Sequence, residues 1–140
     1  MQNIKAYAER DQARPARDAK NGMLPPKLAQ ILINLCGPLP RGATVLDPFC
    51  GTGVVLQEAL LMGYKAYGTD LSERIVGFAR RNLEWLVESR IYSSSEHLAT
   101  TGAFLRGAPV TTGRDEASER EDIFRLSTGD AQDFQWEQPI

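Results

Sequence analysis

The stretch ATVLDPFCGTGVVLQEALLMGYKAYGTDLSERIVGFARRNLEWL, residues 43–86, decides the fold. It opens with a short apolar run, Ala43 to Leu46, that ends on Asp47 and leads into a glycine-bearing turn, Pro48 to Gly53. Apolar residues in succession, without alternation, read as a buried parallel strand. Val54 to Met62 reads as a helix, with Gly63 placed as its C-cap. Lys65-Ala-Tyr-Gly-Thr-Asp70 reads as a second strand, again finishing in an acid. Ser72 is placed to cap a helix running to about Glu88, with Ile75, Ala79, Leu83 and Leu86 on one face. Strands alternating with helices in this way define an α/β arrangement with right-handed crossovers.

The flanks extend the pattern. Pro25 and Pro26 precede Leu28, Ile31, Leu32 and Leu35 at helical spacing, which predicts a helix near 25–36 ending at Gly37. Residues 1–22 are polar, Ala-rich and interrupted by Pro15, and fit either a short helix around Ile4–Gln12 or an extended arm. Residues 92–121 are rich in Ser, Thr, Gly and charge. Structureless loops beyond roughly 15 residues are uncommon in compact domains, so this segment reads as an insertion. Ile123-Phe-Arg-Leu-Ser reads as a third strand, followed by Thr128-Gly-Asp-Ala131. The organisation expected is an entry segment over 1–22 and a partial α/β domain over 23–140 with its insertion at about 92–121.

Composition excludes several classes. The 140 residues hold 16 Lys+Arg against 18 Asp+Glu, 42% hydrophobic and 24% charged, as in ordinary soluble domains. No apolar run approaches the roughly 20 residues of a membrane helix, and the polar start is not a secretory signal. Cys36 and Cys50 show no metal-ligand spacing and fit a reducing compartment, so a cytoplasmic location is expected. Residues 1–114 carry 14 basic and 10 acidic side chains and 115–140 carry 2 and 8, a balance of +4 followed by −6. Such blocks read as solvated surface and do not argue for nucleic acid by themselves.

Asp47-Pro-Phe-Cys-Gly-Thr-Gly53 lies where open α/β sheets place ligands, beyond the carboxyl end of a strand. A dinucleotide loop would have its third glycine at position 56, which is Leu56, and would not set Asp47 beside a pyrophosphate. The charge suits a cation such as a sulfonium. Asp70, at the end of the second strand, stands where a carboxylate accepts ribose hydroxyls, and Leu71 beside it could cover one face of a purine. Asp130 at the third strand end could accept from an adenine amine, with the Ala131 backbone on the ring edge. Together these features describe S-adenosylmethionine. Alone, each has a plainer reading: a tight turn, a helix cap and a turn residue.

Gly22 to Leu86 resembles the methyltransferase domain of the THUMP-associated RNA guanine-N2 methyltransferases. GMLPPKLAQILINL resembles the helix before that family's first strand, DPFCGTGVVLQEALLMGY its cofactor loop, and YGTDLSERIVGFARRNLEWL its second strand and helix. The resemblance covers about half the chain continuously, plus Thr128–Ala131. It implies a Rossmann-like S-adenosylmethionine-dependent methyltransferase fold. Asp47, Phe49, Gly51 and Gly53 would line the methionine and ribose side, with Pro48 and Thr52 completing the loop. Asp70 would hold the ribose hydroxyls, Leu71 would flank adenine, and Asp130 with Ala131 would bind the amine edge. Met23, Leu24 and Pro25 would close over the methionine end, and Arg17 and Asp18 would belong to the same entry segment. Cys50 reads as a buried filler, since no activating His lies nearby, and His97 as an exposed loop residue. No metal is expected.

The family places an Asp/Asn-Pro-Pro-aromatic segment at its fourth strand, which receives the target amine and the extruded base. The one Pro-Pro pair here, Pro25-Pro26, follows Leu24 and precedes Lys27, so it is not that segment. No catalytic residue is therefore assigned. The expectation is a fold truncated after the third strand, from a truncated gene product or one part of a split enzyme, with Ala43–Leu46 as an open sheet edge. The main functional reading is the cofactor-binding half of a tRNA guanine-N2 methyltransferase, with RNA bound by the complete enzyme and a complementing chain or domain. A DNA adenine-N6 methyltransferase fragment and a non-catalytic cofactor-binding module are the alternatives. A nicotinamide dehydrogenase is disfavoured by Leu56 and Asp47.

Overall fold

The computed structural model describes residues 4–20, 22–40, 42–89 and 123–133. Its elements run α1 (Ile4–Gln12), α2 (Pro26–Leu35), β1 (Thr44–Asp47), α3 (Val54–Leu61), β2 (Lys65–Asp70), α4 (Glu73–Glu88) and β3 (Phe124–Thr128). The three strands form one parallel sheet in the order β1-β2-β3. Val45 pairs with Ala66 and Asp47 with Gly68, while Gly68 pairs with Leu126 and Asp70 with Thr128. Strands added in one direction by right-handed crossovers put their helices on one face. Accordingly α3 packs on β1 and β2, α4 on β2 and β3, and the helices touch each other. This is the α/β, Rossmann-like arrangement that the strand–helix alternation predicts.

Local chemistry explains the element ends. Pro25, extended at the N-cap, starts α2, because its ring suits the position before the first free N–H groups. α2 buries Pro26, Ala29 and Ile33 against its neighbours and exposes the larger Leu28, Ile31, Leu32 and Leu35. The helix forms where the spacing predicts, but its most apolar stripe is not the face that meets α3. The core is built from Leu56, Ala59 and Leu60 of α3, Ala66 of β2, Val76, Ala79, Leu83 and Leu86 of α4, and Phe124 and Leu126 of β3. As expected, β1 lies at one edge of the sheet and its residues are only partly covered.

α1 forms at Ile4–Gln12, the helical of the two options open for the N-terminal residues. The chain then runs as a strap over 13–20 against α3 and α4. Arg10 sends Nε to Glu58 Oε1 at 2.8 Å and Nη2 to Glu58 Oε2 at 3.1 Å, both side chains almost fully buried. Gln30 of α2 donates to the same carboxylate at 2.7 Å, and the Tyr7 hydroxyl donates to Gln30. Arg14, also buried, pairs with Asp11. One buried acid thus fastens α1, α2 and α3 together. The insertion at 92–121 and His97 lie outside the described residues.

Candidate cofactor site

The three strand ends converge. Parallel pairing brings Asp47 beside Gly68 and Asp70 beside Thr128, and the Gly129 N–H donates to the Asp70 carbonyl at 3.1 Å. The loops after β1, β2 and β3 therefore form one continuous rim. The first loop is held by several hydrogen bonds. Asp47 Oδ1 accepts the Phe49 N–H at 3.1 Å, the Cys50 N–H donates to the Thr69 carbonyl at 2.8 Å, and the Thr69 hydroxyl donates to the Pro48 carbonyl at 3.1 Å. Gly53 takes φ +83° at the N-cap of α3, and a Cβ there would meet Ala79 of α4 at 3.2 Å. That left-handed turn pressed against α4 explains why glycine stands at this position.

Asp70 has a double duty. Its Oδ2 accepts the Gly51 N–H at 3.1 Å and its Oδ1 accepts the Ser72 N–H at 3.0 Å. The carboxylate thus braces the loop and starts α4, and each oxygen keeps a further lone pair for an outside donor. Ser72 occupies the N-cap of α4 as predicted, but its side chain makes no capping bond. Asp70 takes that part. At the third strand end Asp130 is exposed, and its Oδ1 accepts the Gln132 N–H at 2.9 Å. Ala131 follows it in the same turn.

Two large apolar side chains face solvent on this rim: Phe49 at 77% and Leu71 at 73% exposure. Each follows closely on one of the strand-end acids. Above Gly51, φ +53°, a Cβ would meet nothing within 4 Å, so the loop borders open space there. Burial pushes the Asp47 carboxyl up from its usual range; the Phe49 N–H partly offsets this, and the Asp70 charge adds to the rise. A carboxyl group made costlier to ionise by burial and by a neighbouring acid suits a cation beside it. The Cys50 thiol is pushed up to about 12, by burial first and then by Asp47 and Asp70. Its side chain is buried in the hydrophobic core, where a filler was expected. Open space, two acids and two exposed apolar side chains thus meet on one rim.

The entry segment arrives beside this loop. Met23 and Leu24 are half-buried, and Pro25 is exposed where α2 begins. Asp18 is buried and accepts the Lys20 N–H at 3.1 Å, with Arg74 of α4 at 3.7 Å. Three buried polar residues that the motifs do not single out hold the surrounding structure: Arg10 and Glu58 pair between α1 and α3, and Asn82 donates to the Thr52 carbonyl of the loop. A signal for two of them is present in the sequence. Glu58, next to Gln57, stands in the middle of an apolar helix, and Asn82 falls on the stripe of Ile75, Ala79 and Leu86. No group of three or more potential ligands stands ready for a metal among the described residues.

A Rossmann-like parallel sheet with acids ending β1 and β2 and a glycine turn leading into α3 defines the class of open α/β domains whose ligand site lies beyond the carboxyl ends of the strands. Comparison narrows that class: the family model for the RMKL-like methyltransferase domain matches residues 14–137, and the chain belongs to that family. A methyltransferase domain works with a methyl donor. The tRNA (guanine(10)-N2)-dimethyltransferase of Methanothermobacter thermautotrophicus is 48% identical over 63 residues, 45% of this chain and 18% of that protein. Its counterpart from Pyrococcus abyssi is 47% identical over 62 residues, 44% of this chain and 18% of that protein. The tRNA (guanine(6)-N2)-methyltransferase of Thermus thermophilus is 40% identical over 76 residues, 49% of this chain and 22% of that protein. The matched stretch spans about a fifth of each of these relatives.

Proposed function

We propose that this chain is the cofactor-binding portion of an S-adenosylmethionine-dependent RNA methyltransferase, acting on a guanine N2 of tRNA in the complete enzyme. The observation that carries this reading is the rim itself. Asp47 and Asp70 close one loop, with exposed Phe49 and Leu71 beside them. Asp70 accepts the ribose hydroxyls with the lone pairs its backbone donors leave free. Leu71 covers one face of adenine, and Asp130 with the Ala131 backbone takes the amine edge. Asp47, Pro48, Phe49, Gly51, Thr52 and Gly53 line the methionine and ribose side, and Met23, Leu24 and Pro25 close over the methionine end. When bound, the sulfonium supplies the electrophilic methyl group. The residues of this chain bind and orient it, and none is assigned a catalytic role.

The relatives support the choice of target. They are tRNA guanine-N2 methyltransferases, which favours an RNA substrate over DNA adenine. The tRNA is held in the complete enzyme, which adds a complementing domain or chain, and the setting is cytoplasmic. The described residues contain no helix long and apolar enough to cross a membrane.

Calorimetric titration with S-adenosylmethionine and with NAD tests the cofactor. Binding of the first and not of the second is expected. Asp70→Ala removes an acceptor for two backbone donors and for the diol. Bonds to a charged group contribute about 1.5–3 kcal/mol each, so at least a tenfold loss of affinity is expected. Asp133→Ala, on the exposed turn after β3, leaves affinity unchanged. An analogue lacking both ribose hydroxyls separates the diol from the loop, because its affinity should fall less than that of S-adenosylmethionine in Asp70→Ala. Preference for NAD, or equal effects of the two substitutions, refutes the assignment.

A further inference from the structure

The side chain of Asn82 is fully buried in the middle of α4, behind the cofactor loop. Its Oδ1 accepts the Ala16 N–H at 2.9 Å, and its Nδ2 donates to the Ala16 carbonyl at 2.9 Å and to the Thr52 carbonyl at 3.0 Å. The amide can be oriented in one way only, since an N–H needs the oxygen and two carbonyls need the NH2. Its plane lies against the Ala16 backbone as one strand lies against another. The third bond reaches the turn between Gly51 and Gly53.

That third bond completes the fixing of a peptide unit. The carbonyl of Thr52 goes to Asn82, and the N–H of the same unit, on Gly53, goes to the Cys50 carbonyl at 2.8 Å. The neighbouring Gly51 N–H is held by Asp70 Oδ2 at 3.1 Å, so the turn's apex is tied at Gly51, Thr52 and Gly53. The same amide fixes the strap two residues before Asp18, on the path to Met23, Leu24 and Pro25. Strap and glycine loop come from different parts of the sequence, and one side chain bonds to both.

We infer that Asn82 is a positioning residue for the cofactor: through Ala16 and Thr52 it couples the N-terminal strap to the glycine loop, so that both stand pre-organised for binding. The inference rests on the cofactor reading above. It also predicts a behaviour of the ligand-free chain. Pre-organised groups bind more tightly because less order has to be imposed on binding. Loss of the amide therefore loosens the loop before any ligand arrives.

Asn82→Asp is the sharpest variant. It keeps the acceptor for the Ala16 N–H and turns two good bonds into oxygen–oxygen contacts. Asn82→Ala removes all three bonds without that repulsion and serves if the first does not fold. Leu86→Ala, one turn further along α4 in the hydrophobic core, controls for simple loss of stability. Hydrogen exchange on the full, ligand-free chain should show the Gly53 and Ala16 amides exchanging at least tenfold faster in the Asn82 variants, and within threefold of wild type in Leu86→Ala after correction for global stability. Titration with S-adenosylmethionine should show at least a tenfold weaker Kd for the Asn82 variants and less than threefold for Leu86→Ala. Unchanged exchange at Gly53 and Ala16 overturns the coupling whether or not the cofactor binds. Faster exchange with cofactor affinity no weaker than in Leu86→Ala overturns the positioning role. Wild-type protein that does not bind S-adenosylmethionine refutes the cofactor reading instead, and the exchange data still decide the coupling.

Discussion

Gly68 stands at the centre of β2, between Asp47 of β1 and Leu126 of β3, and Gly68→Ala adds one methyl group there. That carbon would lie 2.5 Å from Leu56 Cδ1, 2.9 Å from Cys50 Cβ and 3.2 Å from Leu126 Cδ2. Leu56 is a far-end methyl, but its side chain is fully enclosed and has nowhere to swing. Cys50 Cβ is one bond from the loop backbone, which is itself held by the Thr69 carbonyl, so relief requires the cofactor loop to shift. Overpacking of this kind costs about 1–3 kcal/mol. At about 2 kcal/mol, the melting temperature falls by roughly 5–10 °C for a domain of this size. Gly77→Ala in α4 is the internal control, since its Cβ would meet nothing within 4 Å. It should gain up to about 1 kcal/mol from helix preference alone. Thermal denaturation followed by circular dichroism compares the two. Gly68→Ala melting within about 2 °C of wild type would mean the core is looser than these distances imply.

Two further substitutions test the electrostatics. The folded state holds the Asp47 carboxyl above its usual range, so the fold favours the protonated form, and that contribution is lost as pH rises from the ordinary carboxylate value through the raised one. Asp47→Asn should therefore melt higher than wild type at pH 7, with the gap closing as pH is lowered toward 4, and should bind S-adenosylmethionine less tightly; a gap that widens on acidification contradicts the sign. Arg10→Met leaves Glu58 buried with Gln30 as its one remaining hydrogen-bond donor, and loss of one partner of a buried pair costs about 3–5 kcal/mol. Urea denaturation should show that loss, and the double variant Arg10→Met, Glu58→Leu should recover part of it; a double variant no more stable than the single one would show that the stranded charge is not the cause.

The alternation of elements was legible because it depends on neighbours in the chain. Pro25-Pro26 starts a helix by ring geometry, and the apolar run Ala43–Leu46 forms a parallel strand flanked by glycine-bearing turns. The acids ending both strands and the turn between Asp47 and Gly53 could likewise be read in order, since parallel strands joined by helices bring their carboxyl ends to one rim. What side chains do across the fold was not legible. Asp70 looked like a ligand-facing acid, and the structure shows it also bracing Gly51 and Ser72. The helical spacing of Leu28, Ile31, Leu32 and Leu35 marks α2 as a helix but not which face it buries, and that face is Pro26, Ala29 and Ile33.

The sequence alone thus determined the order of strands and helices, the place of the glycine loop and the sign of the charge around it. Only the tertiary structure decided how Arg10 reaches Glu58 and how Asn82 ties Ala16 to Thr52, contacts that span 48, 66 and 30 positions. The physical reason is that periodicity and turn chemistry are local properties of a chain. The partner of a buried polar group is set by which segments the whole fold presses together.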